Sequence, residues 1–191
     1  MKAAVCEAFG KPLVLKEVPE PTVGPDEVLI RMKGCGVCHG DLHLADGNWK
    51  DWGTPLPIIP GHEVTGVVEK AGDQVTTLKP GDPVGVPWMQ YACGQCPACR
   101  SGAEMLCAAQ KSTGVTVNGG YAEWVKAPAA FTHRIPVGSV VGTRDDMDAM
   151  LRFAADHGIA ATVERHPLAK VNDVLDRLRK GEVRLRAVLT P

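Results

Sequence analysis

The chain has 191 residues, 45% of them hydrophobic, and 21 Lys+Arg against 22 Asp+Glu leave a formal net charge of −1. That length supplies one good core or one and a half small ones. Charge this balanced leaves no electrostatic footprint for nucleic acid or an anionic membrane, so neither is expected as a partner.

The first residues, Met1-Lys2-Ala3-Ala4-Val5-Cys6-Glu7, hold no apolar signal-peptide region. No run approaches the ~18 apolar residues of a membrane span. The expectation is a soluble, cytoplasmic protein in a reducing compartment. Up to residue 136 the chain is rich in Gly, Pro and Val, and short β-type runs occupy 1–6, 13–18, 27–33, 63–70, 83–87 and 122–126. Turn chemistry separates them: Gly24-Pro25-Asp26, Ala71-Gly72-Asp73, Lys79-Pro80-Gly81-Asp82 and Asn118-Gly119-Gly120. Many short strands with this punctuation predict a compact β-barrel or sandwich. After Pro136 the texture changes. Met147, Met150, Leu151 and Ala154 fall at helical spacing in 145–157, and Val171, Val174, Leu175 and Leu178 do so in 170–180. Each helix stops at a glycine, Gly158 or Gly181, and strands are expected at 161–165 and Arg186–Thr190. The fold class is therefore mainly β with a few helices (α+β).

The strongest motif is Cys93-Gly94-Gln95-Cys96-Pro97-Ala98-Cys99, closed by Cys107. Two CxxC steps and one further cysteine give the four soft donors of a tetrahedral zinc site, and four thiolates leave no open position. The 88–111 excursion is thus read as a structural zinc loop, with disulfides or simple core packing as the bland alternative. Gly94 and Gly102 relieve crowding there, and Pro97 stiffens the second step. A second, weaker constellation joins Cys38, in Gly36-Val37-Cys38-His39-Gly40-Asp41, to His62, in Gly61-His62-Glu63-Val64. One thiolate and one imidazole are the mixed set of a catalytic zinc, with Asp41 and Glu63 as supporting carboxylates. From the residues alone, a buried Cys and His acting as ordinary core stand level with that reading. Cys6 and Cys35 have no ligand-spaced partner and are read as small core residues.

These motifs occur in the order seen in zinc-dependent medium-chain alcohol dehydrogenases, which the chain resembles. The likeness continues through Gly81-Asp82-Pro83-Val84-Gly85, Gly119-Gly120-Tyr121-Ala122-Glu123 and Gly138-Ser139-Val140-Val141-Gly142-Thr143-Arg144 to the C-terminus. The resemblance implies a GroES-like β-barrel catalytic domain over 1–136, completed as one domain by the helices and strands of 137–191. It also implies catalytic zinc ligands at Cys38 and His62. Glu63 is then a carboxylate able to approach the metal, and Asp41 a partner of the ligating histidine. His43 would be the outer member of a proton relay. His39 and Arg186 would face an NAD(P) cofactor, and Trp49 and Trp88 would wall the pocket for a small alcohol or aldehyde. Packing accounts equally well for either tryptophan, and a solvated surface arginine for Arg186.

Three departures from the family stand out. Gly40 replaces the usual Ser or Thr, so the relay through His43 lacks its hydroxyl unless a water fits. No G-x-G-x-x-G string occurs, so there is no Rossmann fingerprint and NAD(P) binding is not expected. In the family a domain of roughly 100–150 residues would lie between Ile135-Pro136 and Gly138-Ser139. The family's remaining catalytic cysteine would lie there too, which leaves Glu63 or water to complete the shell. A cut at a domain boundary points to an engineered or natural domain deletion. The expected function is a zinc-binding catalytic domain of an alcohol dehydrogenase with little or no turnover. Non-redox zinc hydrolysis, or a structural zinc module without activity, are the alternatives. Loss of the cofactor domain is expected to expose apolar surface and leave a monomer or a weakly self-associating species.

Overall fold

Runs of β-branched residues cut by Gly-Pro-Asp turns cannot build long helices, and strands dominate. The computed structural model describes residues 1–134 and 144–191, and the side chains of all of these but 144–147. The junction at 136–138, the stretch 138–143 and the Met147 side chain, all singled out above, lie outside the described residues.

Eleven strands are present among the described residues. They are β1 (Lys2–Val5), β2 (Val14–Glu17), β3 (Glu27–Gly36), β4 (Glu63–Ala71), β5 (Pro83–Val86), β6 (Met89–Tyr91), β7 (Lys111–Ser112), β8 (Trp124–Pro128), β9 (His133–Arg134), β10 (Val163–Pro167) and β11 (Arg186–Thr190). Four α-helices accompany them: α1 (His39–Ala45), α2 (Pro97–Arg100), α3 (Arg144–Asp156) and α4 (Val171–Arg179). The mainly β, α+β class expected from the sequence is the one observed. Among the described residues, no helix is long and apolar enough to cross a membrane.

Strand β3 organises the sheet. It pairs antiparallel with β4 along its length, with β8 at its start and with β11 at its end. Ile30, Met32 and Gly34 are buried while Arg31 and Lys33 are exposed, the period of two that puts alternate side chains on one face. Irregular register at Leu29/Ile30 and Met32/Gly34 marks places where β3 bends to serve neighbours on both edges. The core packs Val28, Ile30 and Met32 of β3 with Val64, Val68, Val84 and Val86 of β4 and β5, and with Leu42 and Leu44 of α1. Cys6 and Cys35 are fully buried in it, as expected of small apolar residues.

The C-terminal segment joins this sheet. β10 and β11 run parallel with α4 between them, a single βαβ unit, and β11 then meets β3. Val171, Val174 and Leu175 bury the inner face of α4. Asn172 uses both ends of its amide on Leu13: Leu13 N donates to Oδ1 at 3.0 Å and Nδ2 donates to Leu13 O at 2.9 Å. Two strands are displaced from their expected places. The 161–165 strand forms two residues later, and the 122–126 strand becomes Trp124–Pro128, with Ala122 bridging Ala3 alone. Phe153, Ile159 and Leu185 remain exposed in the C-terminal segment.

Candidate functional site

The four cysteines of the 88–111 excursion converge. The ligand atoms of Cys93, Cys96, Cys99 and Cys107 all lie within 4.8 Å of one another, and none of the seven cysteines is in a disulfide. Left-handed glycines at Gly94 and Gly102 turn the backbone around them. Backbone amides are aimed at the sulfurs: Cys93 N donates to Cys107 Sγ at 3.4 Å, Cys96 N to Cys93 Sγ at 3.3 Å and Cys99 N to Cys96 Sγ at 3.5 Å. Cys96 thereby caps α2, with Pro97 at its first turn. Hydrogen bonds from the amides of Gln95 and Cys96 draw the Cys93 thiol down to about 6, whereas burial and a hydrogen bond with Cys96 push Cys99 up to about 12. One sulfur ready to lose its proton among three others is a donor set that fits a tetrahedral thiolate metal. The loop rests on its own small cluster of Met89, Ala92, Cys107 and Phe131.

The second cluster is built by the end of β3, the start of α1 and the start of β4. Cys38 is the N-cap of α1; its sulfur accepts from Gly40 N at 3.5 Å while its own amide donates to Asp41 Oδ2 at 2.9 Å. This reciprocal capping box places the thiol at the helix mouth. His62 is buried, and its Nδ1 lies 3.2 Å from Asp41 Oδ1. Asp41 is buried too, and it accepts from Gly61 N at 3.2 Å and from Tyr121 OH at 2.8 Å. Four donors therefore converge on one carboxylate. With Nδ1 committed to Asp41, Nε2 is the nitrogen left to face Cys38 and a metal. Cys38, His62 and Glu63 offer one sulfur, one nitrogen and one oxygen within 4.8 Å of one another.

Charges in this cluster reinforce one another. The hydrogen bond with His62 outweighs burial and lowers the Cys38 thiol below its ordinary value. Burial disfavours a charged His62, yet the Asp41 carboxylate and the Cys38 contact overcome it and raise the imidazole to about 10. Burial pushes the Glu63 carboxyl up, partly offset by the Arg186 guanidinium. A thiolate beside an imidazolium is a site in which an arriving cation displaces a proton. The donor set fits zinc.

The other predicted residues divide into two groups. Trp88 packs edge-on to His62 with centroids 4.9 Å apart, and Trp49 packs edge-on to Trp88 at 5.4 Å. Trp52, absent from the sequence reading, stacks on Trp49 at 5.1 Å. His39 and His43 stand one turn apart on the exposed side of α1, outside the ligand-spaced cluster. His43 Nδ1 is 3.0 Å from Asn48 Nδ2. Arg186 turns toward Glu63, its Nη1 lying 3.2 Å from Oε1. The space beside Gly40 is tight for a side chain. A Cβ there would meet His62 Cε1 at 3.0 Å and Trp49 Cη2 at 3.1 Å. Tyr121, fully buried, is a second site residue that sequence reasoning missed; its signal was an aromatic in Gly119-Gly120-Tyr121. A cavity of about 550 Å³ lined by Trp52, Trp88, Met89, Met105 and Thr116 lies between the tryptophans and the cysteine loop.

An alcohol dehydrogenase of Geobacillus stearothermophilus is 54% identical over 136 residues, which is 71% of this chain and 40% of that protein. One of Rhizobium meliloti is 52% identical over the same shares. The chain thus spans about 40% of the length of these relatives. The crystal structure of the alcohol dehydrogenase from Aeropyrum pernix matches with a TM-score of 0.92 at 21% identity, covering 100% of both chains, a likeness of fold. The family described as alcohol dehydrogenase GroES-like domain matches residues 24–137. More than half of the chain is covered by that match, and the chain belongs to the alcohol dehydrogenase GroES-like domain family.

Proposed function

We propose that this chain is one domain, the zinc-binding catalytic part of an alcohol dehydrogenase, with two metal centres of unequal purpose. The observation that carries the proposal is the convergence of Cys38, His62 and Glu63, with Asp41 fixed behind the imidazole. Cys93, Cys96, Cys99 and Cys107 hold a structural zinc. Cys38 and His62 hold a second, with Glu63 or water in the remaining positions. Zinc there supplies a Lewis acid for the oxygen of a small alcohol or aldehyde.

The chain's own residues do the rest. Asp41 Oδ1 keeps the proton on His62 Nδ1 and fixes the ring, so that Nε2 stays a ligand. Trp49 and Trp88 exclude water from the same side of His62 and wall a narrow, apolar approach. Gly40 provides no hydroxyl to link the metal centre to His43, so proton release through His43 is expected to be slow. Arg186 pairs with Glu63, and no residue string here forms a dinucleotide fingerprint. The chain is a monomer or self-associates weakly through its exposed apolar side chains.

Positioning a hydride acceptor is worth about 7–11 kcal/mol when it is complete. Loss of even a third of that leaves turnover at least about 50-fold below that of an intact enzyme. Purified, zinc-loaded chain and the full-length Geobacillus stearothermophilus relative should therefore be compared for NADH formation from ethanol and benzyl alcohol. A rate in this chain within tenfold of the relative's, by the same scale, contradicts the proposal.

A further inference from the structure

A cavity of about 640 Å³ lies between β1, the β6–β7 pair, β8 and the chain at 55–59, and no metal-ligating residue named above lines it. Small-molecule sites commonly enclose about 300–1,000 Å³. Val5, Ile58, Ile59 and Val125, all buried, supply its apolar lining, with Trp124 half-buried beside them. Lys16, Lys111 and Lys126 line it against one carboxylate, Glu27. Lys126 Nζ pairs with Glu27 Oε2 at 2.8 Å, and Lys16 pairs with Glu7. Lys111 forms no ion pair with a described residue. Its Nζ stands 5.5 Å from the centroid of the Tyr91 ring, and β6 holds Tyr91 opposite it in register. Next to Tyr91, Gln90 is only 6% exposed and lines the same cavity. Its Nε2 donates to Lys126 O at 3.2 Å, which fixes the orientation of the amide and leaves Oε1 with no partner among the described residues.

An ammonium without a counter-charge at an apolar cavity suits an anion, and a buried amide oxygen without a donor suits an O–H or N–H. From these two groups we propose that the cavity binds a small aromatic carboxylate bearing a hydroxyl. The carboxylate sits on Lys111, the ring packs on Trp124 and Ile59, and the hydroxyl donates to Gln90 Oε1. An aromatic body matches the lining because Trp124 and Tyr91 present ring faces and edges to it. A peptide strand or a second copy of the chain fits less well. Either would bring several further backbone N–H and C=O groups, and Val5, Ile58, Ile59 and Val125 offer those no side-chain partner. The ligand is bound here without reaction, and the site is independent of both metal centres.

The test titrates para-hydroxyphenylacetate into the purified, zinc-loaded chain by isothermal calorimetry. Para-hydroxyphenylacetate should bind, and phenylacetate should bind about fivefold more weakly for want of the hydroxyl. Tyramine, which exchanges the carboxylate for an ammonium, should give no binding. Lys111→Met, a change at an exposed side chain, should weaken para-hydroxyphenylacetate about fivefold. Gln90→Met should erase the difference between the two carboxylates, and Cys38→Ser should leave both affinities as they are. Should Gln90→Met fail to fold, the comparison of the two carboxylates in the unaltered chain still reads the Gln90 contact. Undiminished binding in Lys111→Met, or equal affinity of the unaltered chain for the two carboxylates, overturns the proposal. So does binding that is lost in Cys38→Ser, which would put the ligand on the metal, and so does the absence of any binding at ~10 mM ligand. A dimer in sedimentation that Lys111→Met dissociates would give the cavity to a second copy and overturn it as well.

Discussion

Asp41→Ala is expected to destabilise the chain by about 3–5 kcal/mol, the cost of removing one partner from a buried charged network. The size follows from the number of groups it strands. His62 Nδ1, Tyr121 OH, Cys38 N and Gly61 N all point at the two oxygens of this carboxylate, and Asp41, His62 and Tyr121 are buried. An alanine leaves four donors without a partner inside the core, and each unsatisfied buried group costs about 1–3 kcal/mol before relaxation. Asp41→Asn keeps the shape and one acceptor oxygen, so its loss should be about half as large. Urea unfolding followed by far-ultraviolet circular dichroism measures both. A loss below about 1 kcal/mol for Asp41→Ala, the worth of an ordinary hydrogen bond, would show that the network is not a unit.

Cys96→Ser is the second large effect, and it should exceed that of Cys38→Ser. Cys96 is at once a donor of the four-sulfur set, the cap of α2 and the acceptor for Cys99 N. The loop it closes has only a four-residue apolar cluster beneath it, Met89, Ala92, Cys107 and Phe131. A segment of that kind depends on its metal for order, because binding free energy at a structural site is folding free energy. Trp88 packs against both this cluster and the main core, and its ring meets His62. Disorder in the loop should therefore spread to the second centre, whereas loss of the Cys38 thiol leaves Asp41 and His62 in place. In thermal unfolding of the zinc-loaded proteins, Cys96→Ser should lower the midpoint more and broaden the transition. Equal midpoints for the two variants would contradict the ranking.

What could be read from residues alone follows the range of the interactions involved. Strands bounded by Gly24-Pro25-Asp26 or Lys79-Pro80-Gly81-Asp82 were legible because turn chemistry is local. So was α4, whose Val171, Val174 and Leu175 stripe is buried as its spacing predicts. The seven-residue α1 was not, since two turns are too few for a period; its signal is the capping box of Cys38 and Asp41. α2 exists because Cys96 and Pro97 start it, not because its four residues favour a helix. At the site, the CxxC spacing announced four converging sulfurs, and the metal motifs named Cys38, His62 and Glu63. Long-range partners left no trace in any window. Tyr121 lies 80 residues from Asp41, and Arg186 reaches Glu63 only after β11 has found β3. The close approach of His62 and Trp49 to Gly40 is of the same kind, a consequence of packing that no motif encodes.

Two separate metal centres in one chain is the expectation on which the proposed function depends. It is tested most directly by counting zinc, by elemental analysis, in the purified chain and in Cys38→Ser and Cys96→Ser after dialysis against weak chelator. Two zinc ions per chain, falling to one in Cys38→Ser with the loop's metal retained, is the predicted result. One zinc per chain, unchanged by Cys38→Ser, would contradict it and leave the Cys38–His62–Glu63 cluster as packing.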